Sequence, residues 1–140
     1  MTADTYKKFA PYQPRVGEPF MSDQQQEHFR AILLAWKQEL MEESERTLHH
    51  MQDEPFNLPD PNDRASQEEE FSIELRARDR ERKLLRKIEK ALKRLSSGEY
   101  GYCESCGEEI SIRRLEARPT AELCIDCKHL EEQREKSWAA

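Results

Sequence analysis

The sequence predicts a mainly α-helical fold: a long antiparallel two-helix coiled-coil hairpin on a small globular base, with a four-cysteine module and a C-terminal helix. Two long, highly charged segments without proline or glycine are separated by a short proline-bracketed linker. Four cysteines follow in two closely spaced pairs. Hydrophobic residues make up 36% of the chain and charged residues 37%, which argues against one large core.

Length and composition exclude several classes of protein. The chain has 140 residues, which is enough for one domain or two small units. It contains no apolar run long enough to cross a membrane, and its first twenty residues lack the apolar core of a signal peptide. We therefore expect a soluble, intracellular protein, located in the cytoplasm.

The chain divides into four parts. Residues 1–21 contain three prolines and no apolar periodicity, which predicts an irregular segment of the base. Residues 22–98 form the hairpin, with its tip at about 54–65. Residues 99–127 form the four-cysteine module, and residues 128–140 form the C-terminal helix.

The first helix is predicted to begin after Ser22, because Ser22 and Gln25 have the spacing of a capping box. Its pattern continues to about Asp53. The short linker then requires the second helix to run antiparallel to the first.

The second helix is predicted to begin at Asp60-Pro61, a capping carboxylate followed by the residue favoured in the first turn. Asp63 lies in that turn, where the helix dipole favours an anion. Gly98 is the predicted left-handed stop. These roles at the helix start could account fully for both aspartates, or the aspartates could also have a function at the exposed tip.

Apolar residues at coiled-coil spacing predict where the helices touch. The seam near the base consists of Phe29, Leu33, Trp36 and Leu40 in the first helix and Leu84, Ile88, Ala91 and Leu95 in the second. A smaller cluster near the tip consists of Leu48, Met51, Phe71 and Leu75. Between the two clusters we expect acids of the first helix to face arginines of the second, namely Glu42, Glu43 and Glu45 opposite Arg76, Arg78, Arg80 and Arg82.

The cysteines have the spacing of a structural zinc site. Cys103-x2-Cys106 and Cys124-x2-Cys127 are separated by seventeen residues, which fits a two-knuckle zinc finger. Four thiolates close the tetrahedron and leave no position for a reactive water, so the predicted Zn2+ is structural. A redox pair or two disulfides are weaker alternatives, since neither a thioredoxin-like βαβ pattern nor an oxidising compartment is indicated. The expected apolar core of this small module is Tyr102, Ile110, Ile112, Leu115, Leu123 and Ile125.

Basic residues are concentrated in the second helix, although the formal net charge of the chain is −6. A basic helix beside a zinc module raises the possibility of nucleic-acid binding. Interleaved acids and an acidic partner helix favour a solvated, salt-paired face instead, and we expect no sequence-specific DNA binding. One subset could form a pocket for a phosphorylated ligand, because it combines bases of two elements: Arg80 and Lys87 with Arg114, Arg118 and Lys128.

No catalytic constellation is recognisable. The sequence contains no phosphate-binding glycine loop, no nucleophile elbow, and no histidine near a plausible nucleophile. The residues therefore predict a non-enzymatic protein with a long, stiff hairpin and an acidic tip.

Three segments resemble the DksA/TraR zinc-finger family of bacterial RNA polymerase-binding transcription factors. They are PDPNDRASQEEEFS at the tip, ELRARDRERKLLRKIEK in the second helix, and GYCESCGEEISIRRLEARPTAELCIDCK around the cysteines. The resemblance extends from about residue 20 to the C-terminus. Asn62 departs from the family pattern, which often has an apolar residue between the two tip aspartates.

The resemblance implies a function for the hairpin. Members of the family insert the coiled coil into the secondary channel of RNA polymerase, against the β′ subunit, and act on initiation complexes through the tip. The tip motif falls on Asp60, Asp63 and Ala65. The alarmone guanosine tetraphosphate (ppGpp) binds at the shared interface, and the positions attributed to that site correspond to Arg80, Leu84, Lys87, Arg118 and Lys128.

Two other functions remain open at this stage. The chain could be a zinc-ribbon protein that binds nucleic acid directly through its basic helix. It could also enhance transcript cleavage, with tip carboxylates holding a metal ion in the polymerase. The incomplete apolar seam favours a hairpin within one chain, and therefore a monomer.

Overall fold

The computed structural model describes residues 8–53 and 60–139, and in this part of the chain the fold is helical. The described helices are α1 (Asp23–Asp53), α2 (Pro61–Ser97), α3 (Ile112–Ala117) and α4 (Ile125–Ala139). Helices α1 and α2 pack against each other as the predicted hairpin, so the predicted fold class is confirmed. Among the described residues, an isolated bridge between Tyr102 and Glu109 takes the place of a β-sheet. The linker between the two long helices and the side chain of Met51 lie outside the described residues.

Helix α1 begins with a capping arrangement that differs by one residue from the predicted box. The backbone N–H of Gln25 donates to Ser22 Oγ at 3.3 Å, as predicted. The Gln25 side chain does not complete the reciprocal bond to Ser22, because its Oε1 accepts from the N–H of Met21 at 2.7 Å. Met21 has a φ of 53°, so the chain turns sharply before the helix and presents the earlier amide.

Helix α2 begins and ends as its sequence predicts. Asp60 Oδ1 accepts from the N–H of Asn62 at 2.9 Å, and Pro61 is the first helical residue. At the other end Gly98 has a φ of 80°, a left-handed conformation that costs glycine little. Local hydrogen bonds and backbone geometry therefore mark both ends of the helix.

The base of the hairpin contains the main hydrophobic core. The seam residues Phe29, Leu33 and Ile88 are fully buried. Tyr100, Ile110, Leu115 and Ala121 of the cysteine module belong to the same cluster. The remaining predicted seam residues are buried or packed against it: Trp36, Leu40, Leu84, Ala91 and Leu95. One continuous core thus joins the hairpin to the module.

The predicted cluster near the tip is wrong in part. Leu48 and Phe71 are half-buried, but Leu75 is 43% exposed. The seam position of Ile88 recurs every seven residues toward the tip, at Glu81, Glu74 and Gln67. Leu75 is one residue away from this position. Gln67 is buried instead.

Two interhelical ion pairs of the hairpin lie on either side of the stretch in which acids were predicted to face arginines. Lys37 Nζ of α1 lies 4.0 Å from Glu89 Oε1 of α2, and His50 Nδ1 lies 2.9 Å from Glu74 Oε1. The arginines expected at the seam are largely solvated, since Arg76, Arg80 and Arg82 are exposed. Long arginine side chains readily extend from a seam into water.

The small module differs from its predicted core at one end. Ile110 and Leu115 are fully buried, whereas Ile125 is 58% exposed at the start of α4. Tyr100, which was not predicted for this core, is buried and donates from its hydroxyl to the Pro119 carbonyl at 2.7 Å. Ile125 is the first residue of α4 and directly follows the half-buried Cys124.

Polar contacts fasten the module to the end of α2. Arg94 Nη2 donates to the carbonyls of Tyr102 at 2.7 Å and Glu99 at 3.0 Å. On the opposite side, His28 of α1 pairs with Glu116 of α3, and Glu116 also accepts from the Tyr12 N–H at 2.8 Å. The irregular N-terminal segment, α1, α2 and the module therefore hold one another at the base. No helix in the described part of the chain is long and apolar enough to cross a membrane.

Candidate functional site

The four cysteines converge on one point. The Sγ atoms of Cys103, Cys106, Cys124 and Cys127 all lie within 4.8 Å of one another. A tetrahedral Zn2+ with Zn–S bonds of ~2.3 Å separates its sulfurs by ~3.8 Å. The Cys106 and Cys124 sulfurs are 3.8 Å apart, so the donor set fits one structural Zn2+.

Different local structures present the two cysteine pairs. A tight turn aims the first pair, with the Gly107 N–H donating to the Cys103 carbonyl at 3.0 Å and a Gly107 φ of 78°. The second pair straddles the start of α4, where the Lys128 N–H donates to the Cys124 carbonyl at 2.9 Å. Seventeen intervening residues, including α3, bring the two pairs together.

The surroundings of Cys103 and Cys127 shift the pKa values of their thiols in opposite directions. Burial raises the pKa of the Cys103 thiol, but backbone hydrogen bonds from Cys106 and Cys124 outweigh it and lower the pKa to about 6. Hydrogen bonds with Cys124 and Cys103 raise the pKa of Cys127 to about 12. Since Zn2+ binds thiolates, loading the site releases the protons that remain, and the metal then holds the knuckles together.

A basic cavity lies between α2 and the module. Its volume is about 570 Å3, and its cations are Lys87 of α2 with Arg114, Arg118 and Lys128 of the module and α4. Arg114 is fixed by donating from Nε to the Leu123 carbonyl at 3.0 Å. The cavity thus collects positive charge from three helices.

Most of the residues predicted for a phosphorylated ligand meet in this cavity. Leu84, Lys87, Arg118 and Lys128 line it, and so does Arg114. Arg80 is not among the lining residues, and its side chain is exposed on α2 one turn before Leu84. Tertiary packing, which has no local sequence signal, adds lining residues that the sequence did not predict, among them Trp36, Glu122 and Glu131.

A lysine outside the cavity contacts one of these missed residues. Lys90 Nζ lies 2.9 Å from Glu104 Oε1 and 3.2 Å from Glu122 Oε2. Hydrogen bonds with the two carboxylates raise the pKa of Lys90, and the hydrogen bond from Lys90 lowers the pKa of Glu104. This three-residue group, the Lys90 bridge, links α2 to both halves of the module.

The α2 side of the tip is solvent-accessible. Asp60, Asp63 and Ala65 are all exposed. Asp60 is held by its capping bond, while Asp63 projects from the first turn of α2. The tip lies at the start of α2, whereas the cavity residues Leu84 and Lys87 lie in the second half of this helix.

Comparisons with known proteins identify the family of this chain. A family model described as the DnaK suppressor protein DksA, N-terminal domain, matches residues 25–95, and the prokaryotic dksA/traR C4-type zinc finger matches residues 98–133. The zinc-finger match and the sulfur geometry together show a structural zinc site.

Relatives at high identity cover nearly the whole chain. The RNA polymerase-binding transcription factor DksA of Escherichia coli K12 is 64% identical over 129 residues, which are 92% of this chain and 85% of the relative. The protein of the same name from Haemophilus influenzae is 63% identical over 92% of this chain and 89% of its own length. The solved structure of transcription factor DksA2 from Pseudomonas aeruginosa matches with a TM-score of 0.79 and 43% identity, covering 89% of this chain and 94% of that one. The chain therefore belongs to the DksA/TraR zinc-finger family.

Proposed function

We propose that this chain is a bacterial transcription regulator that binds RNA polymerase and, together with ppGpp, modulates initiation. The observation that carries the proposal is the 64% identity, across 92% of this chain, to a factor named for binding RNA polymerase. The protein acts by binding and catalyses no reaction itself. Its partner implies a cytoplasmic location, and it works as a monomer.

The hairpin enters the secondary channel of the polymerase, next to the β′ subunit. Its shape supports this role, since the 37 residues of α2 extend over ~55 Å at 1.5 Å per residue. A rod of this length can bring the exposed Asp60, Asp63 and Ala65 close to the active centre while the base stays outside. In this position Asp63 offers a carboxylate to the polymerase, and Asp60 keeps the helix start in shape.

The nucleotide binds where the basic cavity meets the polymerase. Lys87, Arg118 and Lys128 contact the phosphates, because Arg forks and Lys ammonium groups match phosphate oxygens. Leu84 provides an apolar contact, and the cavity volume of about 570 Å3 suits a ligand of nucleotide size. Arg80 lies outside the cavity, one turn before Leu84 on α2. It therefore acts at the border between the cavity and the polymerase.

In this complex the protein destabilises short-lived promoter complexes. Promoters of the ribosomal RNA type are inhibited, and promoters limited at other steps are activated. ppGpp strengthens both effects by joining the factor to the polymerase.

Competition for polymerase tests the binding mode. Purified protein should displace another secondary-channel protein from RNA polymerase in a concentration-dependent way. Failure to compete would overturn the proposal. Tight, salt-sensitive binding to free duplex DNA would then favour a nucleic-acid-binding protein, and stimulated RNA cleavage in stalled complexes would favour a cleavage factor.

In vitro transcription tests the nucleotide site. On a ribosomal RNA promoter, the double variant R118A/K128A should retain basal inhibition but lose the further inhibition that ppGpp causes. Lys136→Ala is the matched control, because Lys136 is an exposed lysine of α4 outside the cavity. A double variant that responds to ppGpp like the wild type would show that the nucleotide binds elsewhere.

A further inference from the structure

The basic cavity contains carboxylates as well as cations. Glu122 and Glu131 line it beside the four basic residues, which leaves the lining with a formal charge of +2. A carboxylate in a phosphate-binding cavity repels the ligand and competes for its cations. The affinity of this cavity for an anionic ligand therefore depends on the positions of the two carboxylates.

Each carboxylate has a cationic neighbour. Glu131 Oε1 lies 3.4 Å from Lys128 Nζ, so this pair is internal to the cavity. Glu122 Oε2 lies 3.2 Å from Lys90 Nζ, and Lys90 does not line the cavity. The ammonium that neutralises Glu122 thus approaches from outside, and Glu122 does not draw on a cation of the cavity itself.

We propose that Lys90 is a positioning residue of the nucleotide site, which neutralises Glu122 and holds its carboxylate away from the bound phosphates. This inference rests on the proposed binding of ppGpp in the cavity. Lys90 does not touch the nucleotide; it acts through Glu122. It therefore sets the affinity for polyanions from outside the binding surface.

The second arm of the Lys90 bridge gives the ammonium a fixed position. Lys90 Nζ lies 2.9 Å from Glu104 Oε1, and Glu104 directly follows the zinc ligand Cys103. The Glu104 N–H also donates to the Glu122 carbonyl at 2.8 Å, which ties the two acids together through the backbone. The folded zinc finger is thus the frame that places Glu122 beside Lys90.

Binding of radiolabelled ppGpp to the factor–polymerase complex tests the proposal. The Lys90 and Glu122 side chains are 49% and 31% exposed, so solvent screens the pair and its effect is modest. K90M should raise the Kd for ppGpp about two- to fivefold, as expected for losing a partly exposed ion pair. E122Q alone should change the Kd little, and K90M/E122Q should return it close to the wild-type value.

Matched variants separate this mechanism from a general loss of charge. K93M removes another exposed lysine of α2 that does not line the cavity, and it should leave the Kd near that of the wild type. K90M/E104Q should stay as weak as K90M, because Glu104 does not line the cavity either. Zinc content and polymerase binding without nucleotide should be unchanged in all variants, and K90R should preserve the affinity.

Three outcomes would overturn the inference. One is K90M with a Kd equal to that of K93M, and another is K90M/E122Q as weak as K90M. The third is loss of zinc or of polymerase binding in K90M, since Lys90 would then be a structural residue. A wild-type complex that binds no ppGpp would instead refute the proposed function, and the inference with it.

Discussion

The base and the middle of the hairpin are built on different principles. At the base, the seam side chains Phe29, Leu33 and Ile88 are fully buried. In the middle the same heptad positions carry Glu74 and Glu81, and Glu81 Oε2 is shielded from solvent without accepting a hydrogen bond within the described residues. Burial of apolar side chains thus stabilises the base of the hairpin, whereas polar residues form the contact between the helices farther from the base. The difference indicates that the base is the more stable region, and that the hairpin beyond it has little stability of its own.

Removing zinc should damage the base most severely. Zn2+ contributes roughly 10–16 kcal/mol to folding of small zinc modules, and Tyr100, Ile110 and Leu115 extend from this module into the base core. We expect Cys103→Ser to lose zinc, and hydrogen exchange to show unprotected amides at both the module and the base. Lys136→Ala is the control. Unchanged protection at the base in the zinc-free protein would contradict the shared core.

Truncating the seam should have a large effect at the base and a small one near the tip. Ile88→Ala should cost about 2–5 kcal/mol of unfolding free energy, because Ile88 is fully buried. Leu75→Ala should cost less than about 0.5 kcal/mol, since Leu75 is 43% exposed. Urea denaturation measures both, and equal costs would refute the contrast between the regions.

The helix cap at the tip should matter locally. Asp60→Ala should cost about 0.5–2 kcal/mol, because the carboxylate bonded to the Asn62 N–H is lost. Asp60→Asn keeps an acceptor at the cap and should be nearly neutral. Faster hydrogen exchange of the Asn62 amide in the alanine variant, but not in the asparagine variant, would confirm the local effect.

The smallest expected effect concerns pH and the middle of the seam. Burial, and then the nearby Glu43 carboxylate, raise the pKa of Glu81, although Arg78 and Arg80 oppose the shift. A carboxyl with a raised folded-state pKa destabilises the fold when ionised, and this penalty is relieved as the pH falls through that pKa. Glu81→Gln should therefore stabilise the protein at pH 7 by less than about 1 kcal/mol, and its advantage should shrink toward pH 5. Glu68→Gln, an exposed change on the same helix, is the control, and an advantage of Glu81→Gln that grows on acidification would contradict the assignment.

Features fixed by short-range chemistry could be predicted from the sequence. The zinc ligands follow from two C-x2-C pairs, and both ends of α2 follow from Asp60-Pro61 and from Gly98. The base seam also follows, because its apolar residues repeat at coiled-coil spacing. In each case the residues that determine the feature lie within a few positions of one another or form a strong periodic pattern.

Features that depend on the relative placement of elements could not be predicted in full. The side-chain pairing in the polar middle stays a prediction, because glutamates and arginines alternate there and long side chains tolerate several pairings. Arg80 lies outside the cavity and Glu122 within it, since α3 and the knuckles determine which face of α2 is covered. The Lys90 bridge joins residues from three separate segments, and no local sequence pattern indicates it.

The central claim is that the base positions the protein and the exposed tip acts, and transcription with Asp63→Asn tests it most directly. This change keeps the size of the side chain and removes its charge, at a cost to helix α2 of less than about 1 kcal/mol. With a ribosomal RNA promoter, wild-type protein should inhibit transcription, and ppGpp should deepen the inhibition. Asp63→Asn should bind polymerase like the wild type and yet fail to inhibit. Equal inhibition by both proteins would contradict the account and leave Asp63 with no role beyond the start of the helix.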